Sequence, residues 1–261
     1  MAIAEHLVRK ILPAAVAGLL SLAWGTVALA QARIDDEAER VMRAMSSYLG
    51  GLESFSADYD VDLEHLTYEG EKLQFSAGGQ ISVSRPDKAR MVRHGGFADI
   101  ELTYDGKQIS ILGKLTKSYA QVSVPGTLAN AINFLRTDLD LEIPGGDLLL
   151  PNIYDALMVD VKSGAYWGTT HVGGIDCHYL AFRGADVDWQ IWISTGDKPL
   201  PIKMVITSKW MAGAPQYALR LSNWKTGVQF PAAFFDFKPP ADARKLEAVS
   251  AEMLGEQPQR K

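Results

Sequence analysis

Residues Gly78 to Tyr104 read GGQISVSRPDKARMVRHGGFADIELTY, and the rest of the chain is organised around this stretch. Gln80–Arg85 and Ala89–Arg93 each alternate between polar and apolar residues, and they flank Pro86, Asp87 and Lys88. Period-2 alternation interrupted by a short Pro/Asp turn predicts a β-hairpin. A third alternating run, Asp99–Tyr104, leads into a turn at Asp105-Gly106. Arg85 shares a face with Ile81 and Val83, so it is either a frayed strand end or a placed charge. Arg90 and Arg93 are expected on the wet side of the sheet.

Upstream, Phe55, Ala57, Tyr59, Val61 and Leu63 alternate with Ser56, Asp58, Asp60 and Asp62. This pattern predicts a strand with one greasy and one acidic, solvated face. A turn near Thr67–Lys72 and a strand Leu73–Ala77 connect it to the hairpin. Before it, Ile34, Ala38, Val41, Met45 and Leu49 recur at helical spacing, with acids in the first turn and Gly50-Gly51 at the end. Downstream, Gln108–Leu112 and Ser118–Val122 complete a predicted meander of about six strands.

Pro125 breaks the meander. Leu128, Ala131, Ile132 and Leu135 form a helical stripe, and Leu150, Ile153 and Leu157 form a second one with Pro151 in its first turn. Strands are then expected over Ala165–Val172, Ile175–Arg183, Asp188–Ser194, Ile202–Ser208 and Tyr217–Trp224, with turns at Gly173-Gly174 and Thr195–Asp197. One domain is expected over residues 31–240, with the helical insertion at about 125–161 as a cover. The charged tail 241–261 is expected to fray.

The first thirty residues have the form of a secretory leader: Arg9 and Lys10, an apolar run Ile11–Leu29, and the small-residue site ending at Ala30. Cleavage after Ala30 is expected, which makes the protein exported. Without Glu5, Arg9 and Lys10, the mature chain holds 30 acidic and 24 basic residues, for a net charge of −6. That balance argues against nucleic acid as a partner. Cys177 is the single cysteine. It excludes an intramolecular disulfide, and it lies too far from the leader for an acylated lipoprotein site. A strand-interior position as a small hydrophobe is expected for it.

About eleven strands, an N-terminal helix and an inserted helical pair make a mostly β protein with some helix. An open antiparallel sheet of that size curls into an incomplete barrel with an apolar concave side. At this level the chain resembles the LolA/LolB superfamily of periplasmic lipoprotein carriers. It is more closely similar to an uncharacterised family of predicted periplasmic proteins, a domain of unknown function with that fold. The resemblance is carried, in order, by the helix with Gly50–Tyr59, Gly79–Pro86, Tyr104–Lys107, Asp188–Ile193 with Pro199–Ile202, Leu221–Trp224 and Phe235–Pro240. It implies a half-barrel with a helical lid and a cavity for acyl chains. In the carrier branch, the arginine of the Arg-Pro pair bonds lid carbonyls and releases them when lipid enters, and Arg85 is the matching position.

The expected ligand-binding residues are Phe55, Tyr59, Phe75, Ile81, Val83, Arg85, Tyr104, Trp189, Ile191 and Trp224. Trp189 shares its face with Ile191 and Ile193, so that face is the expected inner one and Trp192 points away. No catalytic, metal or cofactor site is expected. His65, His94, His171 and His178 show no metal spacing, and there is no nucleophile elbow, P-loop or dinucleotide fingerprint. Asp58, Asp60 and Asp62 read as a solvated strand face rather than a cation site. The chain is therefore expected to be a monomeric, periplasmic binding or carrier protein, not an enzyme. It would take a lipid, lipoprotein acyl chain or other apolar ligand, with envelope membrane proteins as partners. The rival reading is an interaction or sensing module of the cell envelope on the same fold.

Overall fold

The computed structural model describes residues 33–96, 98–141 and 143–249. The leader expected over residues 1–30, its cleavage site and the end of the tail lie outside these residues. Six strands follow the opening helix α1 (Asp36–Gly50): β1 (Ser54–Leu66), β2 (Lys72–Ser84), β3 (Lys88–Gly95), β4 (Asp99–Tyr104), β5 (Gln108–Gly113) and β6 (Ser118–Ser123). Helix α2 (Leu128–Thr137), a 3₁₀ turn (Gly146–Leu149) and helix α3 (Ile153–Met158) come next. Strands β7 (Ser163–Val172), β8 (Ile175–Arg183), β9 (Val187–Ser194), β10 (Pro201–Ser208) and β11 (Gln216–Thr226) form the second meander. A two-residue strand β12 (Arg244–Lys245) follows.

These strands make one open, unclosed sheet in the order β12-β6-β5-β4-β3-β2-β1-β11-β10-β9-β8-β7. All pairs are antiparallel except β12 with β6. The two meanders are joined through β1 and β11, where Tyr59 pairs with Leu221 and Leu63 with Tyr217. The greasy face of β1 looks inward: Phe55, Ala57, Tyr59 and Val61 are buried. The helices lie on that face. Helix α1 buries Ala38, Val41, Met42, Met45 and Leu49, and the larger of these side chains contribute about 1.5–3 kcal/mol each. Helix α2 buries Leu128, Ala131, Ile132 and Leu135, the stripe its spacing predicts. Pro151 falls between the 3₁₀ turn and α3 rather than inside a helix. Leu150, which precedes it, is extended (φ −73°, ψ 154°), as the proline ring requires of its neighbour.

Two local devices shape the sheet. At Gly79 a Cβ would lie 1.8 Å from the carbonyl oxygen of Val92, so β2 and β3 approach here as only glycine permits. The Tyr59 hydroxyl reaches across this gap and donates to the same Val92 oxygen at 3.0 Å. In β11 the register with β1 shifts by one residue between Ser222 and Lys225, and Asn223 adopts φ +50°. Asparagine tolerates this left-handed geometry, and its side chain donates to Asp58 at 2.8 Å. The bulge returns Trp224 to the inner face, where its ring centroid stands 5.6 Å from that of Phe55.

The chain after β11 is ordered further than its composition predicts. Residues 227–246 form a strap over the outer face of the first meander. Gly227 donates to the Ser54 carbonyl at 2.9 Å, Phe234 lies 5.2 Å from the Arg90 guanidinium, and Phe237 lies 5.4 Å from Tyr119. Arg244 and Leu246 then donate to the carbonyls of Lys117 and Tyr119. Within the tail expected to fray from residue 241, Arg244 to Leu246 are paired by backbone with the edge strand. Backbone pairing with the edge strand β6 overrides the polar composition.

A lidded apolar cleft as candidate ligand site

Arg85 sits at the end of β2, where its backbone N–H donates to the Glu53 carbonyl at 2.8 Å. Its side chain turns under the helical insertion, and Nη1 donates to the carbonyl oxygen of Leu149, the last residue of the 3₁₀ turn. Nε and Nη2 are buried without a hydrogen-bond partner among the described residues. The Phe55 ring lies 5.8 Å from the guanidinium. Burial pushes the guanidinium below the ordinary arginine value. A buried donor left unpaired costs about 1–3 kcal/mol, so this contact is a poorly compensated charge and not a solvated turn residue.

The insertion is tied down at further points. Leu128 donates to the Pro86 carbonyl at 2.9 Å, which fixes the start of α2 to the turn that carries Arg85. The Tyr104 hydroxyl lies 2.9 Å from the carbonyls of both Val124 and Gly126. Arg136 on α2 pairs with Asp147 in the 3₁₀ turn at 2.8 Å. Helices α2 and α3 with the turn between them thus act as a lid, held to the sheet at one end by Arg85.

All ten residues named from the sequence fall on the inner side. Phe55, Val83, Tyr104 and Ile191 are fully enclosed, Tyr59, Ile81 and Trp189 are buried, and Phe75, Arg85 and Trp224 are half-buried. Most of them pack with α1 and the lid into continuous core, so they form the floor under the lid rather than the rim of an open space. Trp192 points outward as expected, stacked on Tyr179 at 4.6 Å with Lys203 over its ring at 4.7 Å.

The open space lies further along the same face. A cleft of about 540 Å³ is bounded by Leu63, Met204, Ile206 and Tyr217 on the sheet and by Leu141 and Ile143 on the lid side. A second space of about 290 Å³ shares Asp147, Val187, Met204 and Ile206 with it and reaches Trp189 and Leu157. The two form one groove between the lid and strands β9 to β11. Of the ten named residues, only Trp189 lines it. Met204 and Ile206 were legible, because both share the parity of Trp189 once β10 is paired with β9. Tyr217 and Leu63 come together only through the β1–β11 pairing.

One expectation is corrected. Arg93 lies on the inner face, because it pairs with Gly79 and with Ile100, both of that parity. Arg90 and Arg93 are three residues apart in one strand and cannot share a face. Arg90 is the outward one, paired with Glu101 at 2.8 Å. Arg93 lies near Tyr59 and Tyr217. Burial raises both phenols, Tyr59 to about 12, while the Arg93 charge acts in the opposite direction.

The acidic strand face is held by cross-strand partners. Asp58 accepts from Gln80 and Asn223, and Asp62 from Ser76 and Arg220; these bonds hold both carboxyls below the usual range. Among the described residues no three His, Cys, Asp or Glu side chains are grouped as for a metal ion. Cys177 is buried on the outer side of β8, where burial pushes its thiol up to about 11.

A half-barrel with a helical lid over an apolar cleft is the class of protein this geometry defines. The family model described as "Predicted periplasmic protein (DUF2092)" matches residues 38–249, and the chain belongs to that family. No curated protein matches it. Among solved structures it is similar to an uncharacterized conserved protein from Thermus thermophilus, at 11% identity and a TM-score of 0.50 over 81% of this chain and 99% of that one. It is also similar to lipoprotein LppX of Mycobacterium tuberculosis, at 15% identity and a TM-score of 0.48 over 75% and 99% of the two chains. A LolA superfamily protein from Nitrosomonas europaea matches at 10% identity and a TM-score of 0.41 over 77% and 97%. No helix among the described residues is long and apolar enough to cross a membrane.

Proposed function

We propose that this protein binds and carries an apolar ligand, a lipid or a lipoprotein acyl chain, in the groove between its lid and the inner face of its sheet. It does so as an exported, periplasmic monomer whose leader is removed after Ala30. The observation that carries the reading is the groove itself. Its larger part, about 540 Å³, falls within the usual size of ligand pockets, roughly 300–1,000 Å³. Leu63, Met204, Ile206 and Tyr217 give it an apolar wall, and Glu64, His65, Arg136, Asp140 and Asp147 add a charged margin.

Energetics suit a carrier. Burial of a sixteen-carbon chain is worth about 12 kcal/mol at roughly 0.8 kcal/mol per CH₂, and a bilayer offers nearly the same. Loading and unloading then need only a small bias. One hydrogen bond from a charged donor, about 1.5–3 kcal/mol, shifts the lid equilibrium roughly 10- to 150-fold. A ligand that enters the groove displaces the lid and releases Leu149 from Arg85, which converts binding energy into opening.

Native mass spectrometry after mild extraction, together with titration by a fluorescent acyl probe, tests this. Bound lipid and saturable probe binding are expected. Empty protein that does not bind the probe sinks the carrier reading and leaves an interaction or sensing module. Sequencing of the mature N-terminus tests export, with Gln31 expected as its first residue.

A further inference from the structure

The hairpin tips at the groove mouth carry apolar residues that the fold leaves uncovered. In the β10–β11 loop, Trp210 is 63% exposed and Met211 42% exposed, and both also line the groove. Residues Trp210 to Pro215 include no charge. The β1–β2 tip stands beside this loop, because a Cβ on Gly213 would lie 3.4 Å from the Leu66 side chain. That tip projects Tyr68, which is wholly exposed. Leu63 and Leu73, each about two-fifths exposed, continue the apolar surface down the inner face.

We propose that this end of the half-barrel docks on a zwitterionic lipid bilayer surface, with the Trp210–Met211 loop inserted and the groove mouth facing the membrane. Three observations favour a bilayer over a protein partner. The uncovered surface is a pair of protruding tips, not a flat face or a groove that a folded partner fills. The nearest cations are drawn back from it: Lys209 bonds Asp188 at 2.8 Å and the Gly184 carbonyl at 2.7 Å, and Lys72 bonds Glu64 at 3.1 Å. Paired charge behind the uncharged, Trp-bearing β10–β11 loop is the arrangement an interfacial segment requires. Glu69 and Glu71 lie in the β1–β2 tip, so anionic lipid does not strengthen the contact and the attraction is apolar. The inference rests on the groove as a lipid site for its direction, because a ligand that leaves the groove past Trp210 passes straight into the membrane.

The test is co-flotation of the full mature chain with phosphatidylcholine–phosphatidylethanolamine vesicles, and the same for the double variant Trp210→Ser/Met211→Ser. The acyl-probe titration is run in parallel without vesicles. Both side chains are exposed, so the double variant should fold, and its thermal unfolding checks this. Wild-type flotation, a drop of about tenfold in the variant and no gain on adding phosphatidylglycerol are expected. Absence of wild-type flotation, or equal flotation of the variant, overturns docking. So does self-association in solution that the variant abolishes. Probe binding without flotation leaves the groove reading standing and removes the docking; flotation without probe binding does the reverse.

Discussion

Arg85 and Leu149 are 64 residues apart in the chain, and a hydrogen bond from the Arg85 guanidinium to the Leu149 carbonyl joins the end of β2 to the 3₁₀ turn of the lid. Two of the three guanidinium nitrogens are buried without partners among the described residues, so the contact does more for lid position than for stability. Arg85→Leu is expected to release a bound acyl probe about tenfold faster while changing stability by less than about 1.5 kcal/mol. Stopped-flow release and urea unfolding check the two halves. Unchanged release returns Arg85 to a packing role.

Filling the groove tests where the ligand sits. Met204→Trp places added volume between the two connected spaces and is expected to weaken acyl-probe binding about tenfold or more, with the fold retained by circular dichroism. Unaltered affinity in a folded variant would place the ligand elsewhere.

Gly79→Ala addresses the close approach of β2 and β3. The added Cβ meets the Val92 carbonyl oxygen at 1.8 Å, a backbone atom that cannot rotate away, so a loss of about 3 kcal/mol or more is expected in denaturant unfolding. Gly70→Ala is the comparison. No atom lies within 4 Å of the added methyl there, and only backbone strain at its φ of +84° remains, at about 1 kcal/mol.

Tyr59 sets an alkaline limit. Its phenol is held at about 12 against an ordinary 10.0 by burial. A folded value above the unfolded one means that the stabilisation is complete below pH 10. It is lost as the pH rises toward 12, because the unfolded phenol ionises first. Tyr59→Phe should therefore flatten the fall in stability over that window, and at neutral pH it should cost about 1 kcal/mol for the bond to Val92. Equal alkaline slopes for the two proteins would exclude this account.

The strands and both helical stripes were legible because each rests on local periodicity. Phe55 to Leu63 alternates without interruption, and Leu128, Ala131, Ile132 and Leu135 repeat at helical spacing. The floor under the lid was legible for the same reason. The β1–β11 side of the groove was not, because it is assembled by pairing between distant strands: Leu63 meets Tyr217 only when β1 lies beside β11. Trp224 reached the inner face through a bulge at Asn223 that no periodicity announces. The strap has no periodicity of its own, because its order comes from the β6 edge and from Arg90 and Tyr119.

The β1–β11 junction has a consequence for biogenesis. Asp62 and Arg220, 158 residues apart, face each other across it. A chain that emerges N-terminus first presents β1 with one edge unpaired until β11, near residue 220, has followed. During that interval an alternating strand with a greasy face is open to other strands. The acids Asp58, Asp60 and Asp62 put charge on that strand, and the groove cannot form before β9 to β11 have arrived.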